Sequence, residues 1–533
     1  MLRLSLTGSL LATLFCSASP PVSTPAPASP QGRSRPTLLV FITVDQMRED
    51  YVDRWRAQLT GGLKRFADGG AFFTNGHQDH AITETAPGHA STMSGRFPRS
   101  TGISRNLAGV NDSGAHLIGS AELGASPTRF RGTTLTDWLT AANSRTRALS
   151  VSAKDRGAIL PIGRSKQQVY WLPAISDSIL TTSSWYADTL PDWVKAFNAR
   201  RTPQRSADRI WNLLLDRSQY AEPDSVPIES GGREFLFPHR APSDTAAAAR
   251  AFRGFPWMDN LLLDFGLEGL QRLNLGKGPQ ADILAISLST TDYVGHRFGP
   301  DSREIHDQII RLDRALGAFI DSLYKLRDSS KVIFALTGDH GVAPFPELNN
   351  ARISPAPKRV NVLPALRAAQ QVILASGGNP AAVDIESGAF LVDRATLGVE
   401  EPLLRAAVDS FLAVARRIPG VLRAERLAEL AKADLGKDAI ARRWVQMFAP
   451  DAGAEATITL TAGSYWDPYP IAMHGTPHGA DTHVPIIFFG PPFKPGRYPQ
   501  FVRTVDLAPT LAQVLGVAPT EPLDGRVLTA AIR

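Results

Sequence analysis

Five short runs of apolar, largely β-branched residues punctuate the chain: Thr37–Val44, Ala148–Ala153, Ile283–Leu288, Val332–Leu336 and Val484–Phe489. Such runs predict strands buried on both faces, as in a parallel sheet. Helical periodicity lies between them, at Asp50–Phe66, Thr134–Ala142, Arg303–Leu326 and Thr504–Leu515. In the last, Leu507, Leu511, Val514 and Leu515 share one face, and Gly516 marks the stop. Strands alternating with helices predict an α/β fold, a three-layer α/β/α sandwich around a mostly parallel sheet. The rhythm breaks at about 165–275 and 352–470, which predicts two insertions able to cap the sheet edge.

The N-terminus adds an address. Arg3 precedes an apolar run from Leu4 to Phe15, and the small residues Ser17, Ala18 and Ser19 follow. This predicts a signal peptide over 1–19, a Pro/Ser/Ala-rich linker over 20–36 and one catalytic domain over 37–533. The run is too short to span a bilayer, so the expected compartment is periplasmic or extracellular, with no membrane span. The single cysteine, Cys16, falls inside the leader. Phe15 stands where a lipoprotein signal needs a small residue. A cysteine-free body excludes a disulfide scaffold, a Cys-zinc site and a cysteine nucleophile.

Composition changes the picture little. Of 533 residues, 43% are hydrophobic and 20% charged, which is globular. The net charge is +6, and the basic residues form no long run, so no nucleic-acid partner is expected. No hydrophobic dimer stripe stands out, which predicts a monomer.

Chemistry concentrates where strands end, the place where open α/β sheets put their ligands. Asp45 follows the first run. Asp292 and His296 follow the third. Asp339 and His340 follow the fourth. His474, His478 and His483 precede the last. One Asp after a strand is ordinarily a turn or cap residue. Acids and imidazoles at four strand ends predict metal instead. Oxygen and nitrogen donors without sulfur suit zinc in an open catalytic site. They are too many for one tetrahedral ion, and paired ions serve displacement at phosphorus. Residues 83–91, Thr-Glu-Thr-Ala-Pro-Gly-His-Ala-Ser, predict a helix starting just after Thr85, with Thr85 at the cap position where the helix N-terminus favours an anion.

The set Asp45, Thr85-x-Pro87-Gly88-His89-Ala90-Ser91, Asp292-x-x-x-His296, Asp339-His340-Gly341 and His478-Gly479 resembles the alkaline phosphatase superfamily over residues 38 to about 515. The resemblance implies that Asp45, Thr85, Asp339 and His340 hold one Zn2+, and that Asp292, His296 and His478 hold a second. His474 and His483 are close alternatives to His478. Thr85 would be the catalytic nucleophile. The Cys/Ser-x-Pro-x-Arg pattern of sulfatases is absent at 85–89.

Lys154 and Arg156 follow the second run, two apart, a spacing that puts both on one side of an extended segment. Lys154-Asp155-Arg156-Gly157-Ala158-Ile159-Leu160 resembles the phosphate-irrepressible alkaline phosphatases. There the implied phosphoryl ligands are Lys154, Arg156 and Asn106. The resulting expectation is a zinc-dependent alkaline phosphatase acting on small phosphate monoesters through a phospho-threonine. The alternatives are a phosphodiesterase or nucleotide pyrophosphatase on the same scaffold, and a non-catalytic phosphate-binding scaffold.

Overall fold

A computed structural model describes residues 35–173, 179–349, 351–469 and 471–533. The leader and nearly all of the linker therefore lie outside the described residues.

The five apolar runs become strands with bounds close to those expected. Leu38–Val44 is buried at every position and pairs in parallel with Asp282–Leu288 on one side and Val332–Thr337 on the other. Ala148–Ser152 pairs in parallel with Asp282–Leu288 and with Gln168–Trp171. His483–Phe489 alone runs antiparallel to its neighbours, between Val332–Thr337 and Ala71–His77. Short strands at Gly496–Tyr498 and Val502–Arg503 pair with Ala71–His77 and finish that edge.

Side-chain alternation makes the sandwich. Val40 and Ile42 face a layer built from helices Trp257–Arg272 and Arg303–Leu326, through Phe265, Ile305 and Ile309. Leu39 and Phe41 face the opposite layer, through Ala90, Leu135 and Leu511 of helices Thr85–Ser94, Leu135–Ala142 and Leu507–Leu515. A period of two in a doubly covered strand requires apolar residues at both phases, and this is why the runs are uninterrupted.

The helix expected over Asp50–Phe66 is two helices, Asp50–Arg54 and Gly62–Gly69. The break follows from the close approach of Arg303–Leu326. A Cβ at Gly61 would lie 2.1 Å from the Asp313 carbonyl oxygen, and Asp313 Oδ2 accepts from the backbone N–H groups of Thr60 and Gly61 at 2.7 and 2.6 Å.

The first insertion is narrower than expected. Gln168–Trp171 is an edge strand of the main sheet, Trp257–Arg272 belongs to a main helical layer, and the stretch between them packs Val194, Phe197, Trp211 and Phe252 into the same apolar core. The second insertion folds on its own apolar core. Its antiparallel sheet orders Val383–Glu386, Ala389–Val392, Ala454–Leu460 and Val421–Arg426. Helices Leu363–Ala375 and Glu401–Ala415 cover it, with Phe390, Phe411 and Ile458 inside. Its helix Ala439–Val445 returns to the main body: Arg442 Nε donates to Asp79 Oδ2 at 2.9 Å, and Trp444 packs with Ala81 and Ile82.

Among the described residues, no helix is long and apolar enough to cross a membrane.

Candidate active site

All parallel strands end at one edge, and the loop entering antiparallel His483–Phe489 arrives at that same edge. Asp45 follows Leu38–Val44 directly. Asp292 and His296 sit one turn apart on helix Thr290–Phe298, behind Asp282–Leu288. Asp339 and His340 follow Val332–Thr337, and His474 lies in the incoming loop. Donor atoms of Asp292, His296 and His474 lie within 4.8 Å of one another, as do those of Asp45, Asp292 and His340. Asp292 belongs to both sets. Asp339 Oδ2 adjoins the second, 3.6 Å from His340 Nε2.

The imidazoles are oriented from behind. His296 Nδ1 donates to the Ala472 carbonyl at 2.5 Å, His474 Nδ1 to Thr83 at 2.7 Å and His340 Nδ1 to Gly341 at 3.0 Å. In a neutral ring a protonated Nδ1 leaves Nε2 as the lone pair, the tautomer a metal ligand needs, although Asp292, 3.2 Å from His296 Nε2, raises the His296 pKa against the effect of burial. The Nε2 atoms of His296 and His474 face each other at 3.2 Å, and the His340 and His474 rings stack at 3.7 Å.

Buried acceptors here lack donors. Asp45 Oδ1 and His340 Nε2 have no hydrogen-bond partner, while Asp45 Oδ2 faces the Lys154 ammonium at 2.6 Å and Asp339 Oδ2 faces His89 at 3.1 Å. Leaving buried carboxylate oxygens unsatisfied is costly without a compensating cation. This donor set, imidazoles and converging carboxylates without sulfur, fits a metal ion.

The charges around these acceptors are unevenly held. Burial pushes the Asp45 carboxyl well above the usual carboxylate range, reinforced by Asp292 and Asp339. Burial opposes ionisation of Asp292 too, but Lys154 and His296 outweigh it and hold Asp292 well below that range. Burial, with His340 and His296 nearby, keeps the His474 ring well below its ordinary pKa and so neutral.

Thr85 opens helix Thr85–Ser94 as its first residue, with extended Glu84 as the cap, one residue earlier than expected. Gly88 lets this helix touch the Asp339 strand end, since a Cβ there would lie 2.2 Å from the Asp339 carbonyl oxygen. Lys154 Nζ stands 2.6 Å from Asp45 Oδ2, 2.6 Å from Asp292 Oδ2 and 3.3 Å from Thr85 Oγ1. Burial works against the Lys154 charge, but the two carboxylates prevail and raise its pKa, so it stays protonated.

The segment after Ala148–Ser152 is not extended. Lys154 caps the short helix Asp155–Ile159 and Arg156 lies in its first turn, because Lys154 N–H donates to Ser152 Oγ at 3.1 Å and turns the chain. The Arg156 guanidinium is 3.5 Å from Asp155 and feels Tyr293, Asp45 and Asp292. Asn106 Oδ1 accepts from Ala86 N–H at 2.9 Å, at the start of the Thr85 helix.

One expected residue is elsewhere. His478 Nε2 donates to the Leu460 carbonyl at 2.7 Å and is spent there, at the head of the short helix Gly479–Thr482. His483 contacts Thr74 at 3.0 Å and stacks on His77. His474 takes the place in the cluster. The His-Gly pattern occurs at both 474–475 and 478–479, and the His-Gly-x-Asp form that favours His478 points to the wrong one, since Asp481 is spent on Thr476.

Two further residues went unassigned. Gln46, at a left-handed φ of 64°, donates its backbone N–H to Asp339 at 3.0 Å and Nε2 to Asp292 at 2.9 Å, tying both sides of the site. His89 bridges the Thr85 carbonyl and Ser287 Oγ, both at 2.9 Å, and lies 3.1 Å from Asp339 Oδ2. Its place one turn after Thr85 was the available signal.

Over residues 39–359 the chain matches the family of type I phosphodiesterases and nucleotide pyrophosphatases. It is 30% identical to alkaline phosphatase PhoV of Synechococcus elongatus over 98% of each chain. It is 31% identical to alkaline phosphatase PhoK of a Sphingomonas species, over 92% of this chain and 91% of that one. The crystal structure of wild-type alkaline phosphatase PafA aligns with a TM-score of 0.85 at 27% identity, covering 95% of this chain and 100% of that one. A PafA variant substituted at one threonine, one asparagine, one lysine and one arginine aligns at 0.84 with the same identity and coverage.

Proposed function

Because the chain belongs to the family of type I phosphodiesterases and nucleotide pyrophosphatases, within the alkaline phosphatase superfamily, we propose that it is a secreted alkaline phosphatase that hydrolyses phosphate monoesters at a two-zinc site. Family membership makes it a phosphoric ester hydrolase; the monoester specificity is our reading. The observation that carries it is the Lys154 ammonium, held protonated 3.3 Å from the Thr85 hydroxyl. A monoester brings a dianionic phosphoryl group, which needs more cationic donors than a diester does. Lys154, Arg156 and the amide N–H groups of Asn106 supply them.

The spacing of the PafA substitutions supports this. Their threonine and asparagine are 21 residues apart and their lysine and arginine two, as are Thr85 and Asn106, and Lys154 and Arg156. In our reading Asp45, Thr85, Asp339 and His340 would hold one zinc, and Asp292, His296 and His474 the other. Bound ions would neutralise charge on the attacking and departing oxygens.

The protein's own part is as follows. Thr85 Oγ, its proton lost to solvent, attacks phosphorus, the bond to the ester oxygen breaks, and phospho-threonine forms as the departing oxygen takes a proton from solvent and leaves as the alcohol. Lys154 is no base, since its carboxylate partners keep it protonated. It stabilises charge on Thr85 Oγ and on the non-bridging oxygens. The helix adds few donors, because Ala86 N–H is taken by Asn106 and Pro87 has none. The phosphoryl cradle is therefore made of side chains. Water then cleaves the phospho-threonine.

The leader and linker support export, with residues 37–533 as the catalytic domain acting as a monomer. The deciding experiment compares turnover of an aryl phosphate and the matching diester, with zinc measured on the same sample. Faster monoester turnover with about two zinc ions per chain is expected. Faster diester turnover would favour the phosphodiesterase alternative.

A further inference from the structure

Asn106 lies half-buried on a loop outside any helix or strand, yet it has to place a carboxamide within a fraction of an ångström to recognise a phosphoryl oxygen. Two contacts fix it, and they involve an exchange of capping roles. The side chain of an N-cap residue ordinarily accepts from the second or third N–H of its helix. Here Glu84 is the N-cap, and its carboxylate does not cap the helix. The third position is Pro87, which has no N–H. The remaining donor, Ala86 N–H, goes to Asn106 Oδ1 at 2.9 Å. Glu84 turns away and accepts the Asn106 backbone N–H on Oε2 at 2.8 Å. Asn106 caps the nucleophile helix, and Glu84 holds Asn106.

The other Glu84 oxygen, Oε1, accepts from the hydroxyl of Ser387. Ser387 sits at the tip of the hairpin formed by Val383–Glu386 and Ala389–Val392, in the second insertion. Its φ is +47° and that of Gly388 is +85°, a two-residue turn with both central residues left-handed. A serine at such a position is strained relative to glycine. The preceding residue, Glu386, pairs with Arg105, next to Asn106. Two adjacent hairpin residues thus grip both sides of the Asn106 segment.

We propose that the hairpin tip of the inserted domain, through Ser387 and Glu84, is a positioning device that holds Asn106 in register with Thr85. This rests on the reading of Asn106 as a phosphoryl ligand. The inserted domain thereby acts on the phosphoryl site itself and does more than roof it.

The test is a mutant cycle on the zinc-loaded enzyme with an aryl phosphate. Ser387→Gly removes the hydroxyl while relieving the left-handed strain, so a role confined to the turn predicts an unchanged or more stable enzyme with parental turnover. The proposal predicts a loss of about 3- to 10-fold in kcat/KM, a parallel weakening of inhibition by inorganic phosphate, and unchanged zinc content. In an Asn106→Ala background the same substitution should cost less than twofold, because the residue it positions is gone. Parental turnover in Ser387→Gly overturns the proposal. So does an undiminished loss in the Asn106→Ala background. If Asn106→Ala alone leaves monoester turnover and phosphate inhibition intact, the phosphoryl-ligand reading itself fails, and that result is visible without touching the hairpin.

Discussion

Lys154 Nζ lies 3.3 Å from Thr85 Oγ1 and 2.6 Å from both Asp45 Oδ2 and Asp292 Oδ2. A protonated amine at that distance stabilises a developing alkoxide and a phosphoryl oxygen but cannot remove the proton. If Thr85 is the nucleophile as proposed, Thr85→Ala should lower monoester turnover by at least about 10³-fold. Lys154→Ala should cost about 10²-fold on an aryl phosphate and under about tenfold on the diester. Equal losses on both substrates would remove Lys154 from discrimination.

The two neighbouring histidines should behave oppositely. His474→Ala removes a donor from the Asp292–His296 cluster, so zinc content should fall by about one ion per chain with most of the activity. His478→Ala breaks a hydrogen bond to the Leu460 carbonyl and should cost about 1 kcal/mol of stability with zinc content unchanged. Elemental analysis and denaturant midpoints on both variants check this. Loss of zinc only in His478→Ala would reverse the assignment.

Gly88 is a steric requirement. An added methyl group at 2.2 Å from the Asp339 carbonyl oxygen must push the nucleophile helix off the strand end. Gly88→Ala is expected to destabilise the protein by about 1–3 kcal/mol and to weaken zinc binding, since Asp339 moves with its backbone. Thermal unfolding with and without zinc would show both effects, and parental values in both would refute the contact.

Asp259 gives a pH signature. It is buried behind helix Thr290–Phe298, where Oδ1 accepts from Thr290 Oγ1 at 2.7 Å and Oδ2 from Gln308 at 2.8 Å. Burial lifts its pKa to about 6, with those hydrogen bonds acting against the rise. Because the folded value is raised, the associated stability is complete below pH 3.8 and is lost as pH climbs through about 6. Above pH 6 Asp259→Asn should be more stable than the parent by on the order of 1 kcal/mol, with the gap widening from about pH 4 to about pH 6 and level above that. An identical pH slope in the two proteins would show that Asp259 does not bear this charge.

What was legible in the sequence follows from what burial requires. Doubly covered strands must be apolar at both phases, so the five runs announced themselves. Ala71–His77 did not, because its second half, Thr74-Asn75-Gly76-His77, is partly exposed and polar. Gln168–Trp171, at the far edge, is too short to stand out. Asp45, Asp292, Asp339 and His340 follow a strand within about four residues, so topology alone brings them together, and Thr85 and His296 lie on the helices that come next. His474 is nine residues ahead of its strand, in a loop whose path depends on packing: Gly341 N–H donates to the Asp481 carbonyl at 2.7 Å. Distance along the chain gave no means of choosing it over His478. The Lys154 geometry was misjudged for a local reason, the Ser152 hydroxyl that turns the chain into a helix.

The antiparallel strand His483–Phe489 has a consequence for synthesis. It lies between Ala71–His77, made early, and Val332–Thr337, made later, and is itself among the last segments produced. On a ribosome or a translocation channel the chain emerges from its N-terminus, so the sheet stays in two unjoined parts until His483–Phe489 arrives to bridge them. His474 travels on the loop just ahead of that strand. Closure of the sheet and delivery of this imidazole are thus a single late event. A polypeptide cut short before it would carry a nucleophile and most of the carboxylates, but no finished place to keep an ion.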